Sequence, residues 1–117
     1  MKISENFHRS EFACQCGCGF DTVDVALVDV LQHIRTASSA SLVILSGCRC
    51  HAHNEKVGGA AKNSQHKKGR AADVASAALP VEELAQMAKD LGVSVGIYPT
   101  WVHIDTRSGP PRFWDAR

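Results

Sequence analysis

Leu27, Val30, Leu31 and Ile34 recur at intervals of three and four, which predicts a helix over residues 23–36 with one buried stripe and Thr22 as its N-cap. A second helix is predicted over residues 81–91. Pro80 suits its first turn, Leu84, Met87, Ala88 and Leu91 mark its inner face, and Gly92 follows as a C-cap. Branched apolar residues predict a short buried strand over 42–45, which Ser46-Gly47 ends, and a further strand over 71–74. Strands over 93–98 and 101–105 are joined at Pro99-Thr100. The remaining segments read as an N-terminal arm over 4–12 anchored by Phe7 and Phe12, a Cys/Gly loop over 14–19, and a small polar break over 38–41. Beyond these come a short helix over 52–57 broken at Gly58-Gly59, a polar loop over 63–69 and an irregular tail over 109–117. The sum is an α+β domain, with helices packed on a small, mainly antiparallel sheet, and the whole of 1–117 is expected to form that single domain.

Composition narrows the function classes. Apolar residues make up 44% and charged residues 21%, and the net charge is +1, so no strong electrostatic pull toward nucleic acid or an anionic membrane is expected. No stretch approaches the roughly 18 apolar residues of a membrane span. The polar N-terminus lacks the apolar run of a secretory signal, so the chain is expected to be made in the cytoplasm without an export address of its own. Its five cysteines fall in two clusters, Cys14, Cys16 and Cys18, then Cys48 and Cys50; an odd number cannot all pair within one chain. Three close thiols with Cys48 or Cys50 as a fourth ligand offer a second zinc site, although a spacing of one intervening residue departs from the usual two to four. Reduced thiols, or a disulfide formed in an oxidising space, are the alternatives.

The candidate chemistry lies in two segments, Ser64-Gln65-His66-Lys67-Lys68-Gly69-Arg70-Ala71-Ala72-Asp73 and Trp101-Val102-His103-Ile104-Asp105. Two imidazoles and one carboxylate suit a catalytic zinc site that keeps a position open for water. Gly69, Ala71 and Ala72 permit close backbone approach. In a strand over 101–105 side chains alternate, so His103, Asp105 and Trp101 share one face while Val102 and Ile104 enter the core. Unrelated surface polar residues are the competing reading of the three groups. His51 and His53 read as surface residues, or as groove residues; His8 and His33 read as structural or exposed, and Trp101 and Trp114 as packing residues.

With these segments quoted, the chain resembles the zinc D-Ala–D-Ala carboxypeptidases and related peptidoglycan endopeptidases, in particular their small phage-type members. The resemblance rests on Ser64-x-His66 through Gly69-x-Ala71-x-Asp73 and on the strand motif ending in His103-Ile104-Asp105. Ser46-Gly47-Cys48-Arg49, the stretch 54–59 and the Cys-rich segment 12–19 support it, and it extends over about residues 6–107. It implies the hedgehog/D-Ala–D-Ala peptidase-like fold, Zn2+ held by His66, Asp73 and His103, and a peptidoglycan stem peptide as substrate. It also implies that Arg49 binds a substrate carboxylate or polarises the scissile carbonyl; Ser64 itself reads as a substrate contact, a group bonded to the site, or a simple loop cap. Many relatives carry an acidic general base three positions before the last zinc histidine, where Thr100 stands here, and others a histidine five positions before it, where Tyr98 stands. Asp105 is therefore the first candidate for the base, with orientation of a zinc ligand as its other role; Tyr98 is a candidate hydrogen-bond donor to the tetrahedral intermediate. The expected activity is hydrolysis of an L-Ala–D-Glu-type or D-Ala–D-Ala bond by a monomer, reaching the wall through lysis or another delivering machine, as in endolysins. A non-catalytic zinc module that recognises wall peptide or a protein, and a thiol-based redox or metal sensor, are the readings from other classes.

Overall fold

The computed structural model describes residues 2–14, 23–47 and 65–117. Among them, two α-helices pack on a five-stranded sheet: α1 (Val25–Ser38), β1 (Val43–Ser46), β2 (Ala71–Ala75), α2 (Val81–Asp90), β3 (Ser94–Ile97), β4 (Val102–Asp105) and β5 (Phe113–Asp115). The strand order is β1-β2-β4-β3-β5, antiparallel throughout except for the parallel β3–β5 pair at one edge. This is the α+β arrangement expected from the hydrophobic pattern. No helix among the described residues is long and apolar enough to cross a membrane.

Alternation along the strands explains the layering. Ala72, Val74, Val95, Ile97, Val102 and Ile104 turn toward one face, where they form a core with Leu27, Val28, Leu31 and Ile34 of α1 and Leu84, Ala85 and Ala88 of α2. Burying each large aliphatic side chain there is worth roughly 1.5–3 kcal/mol. The opposite face receives Asp73, Gly96 and His103, which is what separates the candidate chemistry from the core between sheet and helices. Phe7 and Phe12 are both buried in the core as expected, their ring centroids 6.1 Å apart. The arm is tied to α1 through Gln32, whose Oε1 accepts from Ser4 Oγ at 2.8 Å and from the Asn6 backbone N–H at 2.9 Å.

Several sequence expectations are corrected. Helix α1 begins later than predicted, capped by Asp24, whose Oδ1 accepts from the Ala26 N–H at 3.1 Å; Thr22 lies outside the described residues. Val28 takes the fourth place in the buried stripe, and Val30 is half-buried. On the inner face of α2 Ala85 is buried as well, Met87 packs half-buried against the core as expected, and Leu91, just past the helix, is exposed. The strand read as buried is an edge strand buried on one face only: Leu42 and Ile44 turn to the core, while the alternate residues Val43 and Leu45 are exposed. Residues Gln65–Lys68 form a 3-10 turn within the predicted polar loop. The tail is not wholly irregular: β5 pairs with β3, and the Val95 N–H and Ala116 N–H donate to the Arg112 and Ile97 carbonyls. Three residues behind Pro110-Pro111 carry no usable periodicity, so only pairing to β3 makes them a strand. The predicted helix over 52–57 lies outside the described residues, as do Cys16, Cys18, Cys48 and Cys50; Cys14 is buried.

Candidate metal centre

Register assembles the site. Asp73 on β2 is directly opposite His103 on β4, and His103 is opposite Gly96 on β3, so the three residues form one lateral row across the sheet. His66 is delivered by the 3-10 turn just before β2. Gly69 leaves that turn with φ +69, a conformation few other residues tolerate, and its N–H donates to the His66 carbonyl at 3.3 Å. Near the same row the β1–β2 ladder is irregular between Ile44 and Ser46, which shifts the end of β1 beside Asp73.

Three ligand atoms converge. His66 Nε2 is 3.3 Å from Asp73 Oδ1, His103 Nδ1 is 3.2 Å from the same oxygen, and one donor atom from each residue lies within 4.8 Å of the others. Zinc bonded tetrahedrally at about 2.0–2.2 Å to such atoms sets neighbouring ligands about 3.3 Å apart, so the spacing fits. The hydrogen bonds on the far sides of both rings give a second, independent sign. His66 Nδ1 lies 2.6 Å from the Gly47 carbonyl oxygen, which can only accept, so Nδ1 carries the proton and Nε2 presents a lone pair. His103 Nε2 lies 2.7 Å from Asp105 Oδ2, so Nε2–H donates and Nδ1 presents its lone pair. Two lone pairs aimed at a carboxylate repel unless a cation or a proton sits between them. The donor set therefore fits a divalent metal with nitrogen and oxygen ligands.

The electrostatics agree. Burial raises the Asp73 carboxyl, but the His103 and His66 imidazoles against it outweigh that and hold Asp73 well below the usual carboxylate range. Burial lowers His103, yet the hydrogen bonds to Asp105 and Asp73 raise it above its ordinary 6.5. A proton at His103 thus stands where a metal ion would. Asp73 and His103 retain 17% and 12% side-chain exposure, whereas His66 is buried.

Asp105 is 0% exposed, and its carboxylate is engaged on both oxygens. Oδ2 accepts from His103 Nε2 and from Arg107 Nη2 at 2.6 Å; Oδ1 accepts from the Arg107 backbone N–H at 3.1 Å and from Arg107 Nε at 2.8 Å. Burial pushes its carboxyl up, but Arg107 and His103 together hold it well below the usual range. Tyr98 stacks on Trp101, centroids 4.7 Å apart and planes within 5°, and its hydroxyl accepts from Trp114 Nε1 at 3.1 Å. Thr100 is exposed in the turn between β3 and β4. Arg49 and Ser64 lie outside the described residues. Sequence reasoning missed the Gly47 carbonyl and Arg107. A backbone carbonyl leaves no residue-type signal, and an arginine two places after Asp105 is one of many surface-type cations until the bidentate pair is seen.

With this geometry in place, comparison with known proteins decides the family: the model of the peptidase M15 family matches residues 5–105. The chain belongs to the peptidase M15 family. It is also similar to a probable peptidoglycan L,D-endopeptidase, MepK, of Haemophilus influenzae, with 36% identity over 116 residues. That alignment covers 97% of this chain and 54% of the relative, so the chain spans about half the length of the curated protein it matches. The M15 match takes in His66, Asp73 and His103 and ends at Asp105, whose Oδ2 accepts from His103 Nε2. The M15 peptidases are metallopeptidases, which accords with the donor set of the site.

Proposed function

We propose that this M15 chain is a zinc-dependent peptidase that adds water across a peptide bond of peptidoglycan stem peptides. The observation that carries the reading is the convergence of His66 Nε2, Asp73 Oδ1 and His103 Nδ1, with the opposite ring nitrogens already committed to Gly47 and Asp105. The peptidoglycan substrate rests on the name of the similar protein, which also favours an endopeptidase cutting an L-to-D bond over a D-Ala–D-Ala carboxypeptidase. The near-neutral charge balance gives no strong pull toward nucleic acid or an anionic membrane, and a stem peptide acted on by a monomer is the reading proposed.

Zinc held there would lower the pKa of a bound water toward ~7 and polarise the scissile carbonyl. The chain's own residues do the rest. Gly47 and Asp105 hold the two imidazoles in the metal-binding tautomers. Asp105 is here assigned to orienting His103 rather than to accepting the water's proton, because it lies at His103 Nε2, the nitrogen turned from Asp73, and Arg107 occupies both its oxygens. Tyr98 accepts the Trp114 N–H, which leaves its own O–H to donate, and it is proposed as a donor to the developing oxyanion. Arg49 and Ser64 are proposed as substrate contacts on the strength of their places in the family motifs.

The deciding experiment is digestion of purified peptidoglycan fragments followed by mass spectrometry. With zinc, new amino termini appear at one bond type; with a chelator they do not. Binding without any new termini would instead support a non-catalytic recognition module. Zinc affinity should also depend on pH in a defined sense. Because the His103 proton competes with the metal and its pKa is raised, affinity falls as pH drops through that raised value, by about tenfold per pH unit below it. Asp73, already ionised, contributes no slope in that range. Zinc titrations from about pH 8 to about pH 5.5 check this, and a flat profile would contradict the ligand role of His103.

A further inference from the structure

The row that carries Asp73, His103 and Gly96 continues onto β5, where Gly96 is paired with Trp114. Gly96 has no side chain, and the Trp114 indole takes the vacated place. A Cβ built on Gly96 would lie 2.3 Å from Trp114 Cε2, 2.4 Å from Nε1 and 2.5 Å from Cζ2. The indole thereby reaches across β3 to His103, with centroids 5.2 Å apart and planes tilted by 43°. The His103 ring also meets His66 edge-on, centroids 5.1 Å apart. The Arg107 guanidinium, which holds Asp105, lies 5.6 Å from the Trp114 ring centre, within cation–π range. One indole thus touches the ring of a metal ligand, the cation that anchors that ligand's acceptor, and, through its N–H, the Tyr98 hydroxyl.

We infer that Trp114 is a positioning residue of the metal centre, and that Gly96 is glycine so that the indole can lie against His103. The inference rests on the metal-centre reading above. It concerns a residue beyond the segment that the family model matches, which ends at residue 105. Its physical basis is rotational. The His103 ring is fixed by a hydrogen bond at one nitrogen, and the indole wall prevents the swing that would carry the other nitrogen off the ligand position. Supporting groups of this kind change metal affinity by about 10–100-fold when removed.

The test uses the full chain, with zinc affinity and the visible spectrum of the cobalt-substituted protein as readouts that do not depend on turnover. The unsubstituted chain is measured first; if it binds no zinc, the metal-centre reading fails and this inference with it. Given binding, Trp114→Ala should weaken zinc by about tenfold or more and alter the cobalt spectrum. Trp114→Phe, which keeps an aromatic wall but no N–H, should restore affinity to within about threefold of the parent. Gly96→Ala leaves the tryptophan in the chain but expels it from its place, so it should reproduce the Trp114→Ala result; it also decides the matter if Trp114→Ala fails to fold. Parental affinity and spectrum in Gly96→Ala, or equal loss in Trp114→Phe and Trp114→Ala, would overturn the inference.

Discussion

Replacing His66 or Asp73 with Ala is expected to leave a folded chain that retains no zinc after dialysis and cleaves no peptidoglycan. Each substitution removes one of three convergent ligand atoms, and a site reduced to two protein ligands has little hold on a metal that structural and catalytic centres bind with three or four. The two variants differ in what else they remove. Asp73 carries the charge that balances both imidazoles, so Asp73→Ala also lets the raised His103 pKa fall back toward its ordinary value. His66 is almost wholly buried and donates to Gly47, so His66→Ala strands a buried carbonyl and should lower the melting temperature as well, at a cost of about 1–3 kcal/mol. Metal content by atomic emission checks the first claim, and thermal unfolding the second. Full zinc occupancy in either variant would remove that residue from the ligand set.

Asp105→Asn separates the two roles weighed for this carboxylate. If Asp105 orients His103, the amide disturbs the His103 and Arg107 contacts together, because its NH2 end faces donors instead of accepting from them. Zinc affinity then falls by about 10–100-fold, while turnover at saturating zinc stays close to the parent. If Asp105 were the proton acceptor, affinity would hold and turnover at saturating zinc would fall by about 10²–10⁴-fold. The buried position, with both oxygens engaged, leads us to expect the first pattern. Stability should respond too. The folded-state pKa of Asp105 is depressed, so the ionised carboxylate contributes stability above its unfolded value, and that contribution is lost as pH falls through the folded one. Asp105→Asn should therefore narrow the stability difference between neutral and acidic pH, which melting curves across that range would read directly.

How much of this was legible in the residue order depends on the range of the interaction involved. The helices, the strands around Ala72–Val74 and Val102–Ile104, and the core positions Leu27, Leu31, Ile34, Leu84 and Ala88 follow from spacing, because periodicity is local and survives in one dimension. The three proposed ligands were nameable too, since their types and motif order are written in the chain. So was the shared face of His103 and Asp105, which alternation alone dictates and the 2.7 Å contact bears out.

Other features depended on partners that only folding supplies. Val43 and Leu45 belong to a run that reads as buried and are exposed, because alternation turns only Leu42 and Ile44 to the core and the fold decides which face of an edge strand is covered. Residues 113–115 became a strand only by borrowing hydrogen bonds from β3. Arg107 acquired meaning from Asp105, and Trp114 from the missing side chain of Gly96, eighteen positions earlier and one strand away. The amino-acid order by itself determined which groups were available for metal chemistry and which face of each element would carry them. The tertiary structure alone decided which backbone carbonyl, carboxylate and indole hold those groups in place, because register across the sheet is a non-local property that no window of sequence contains.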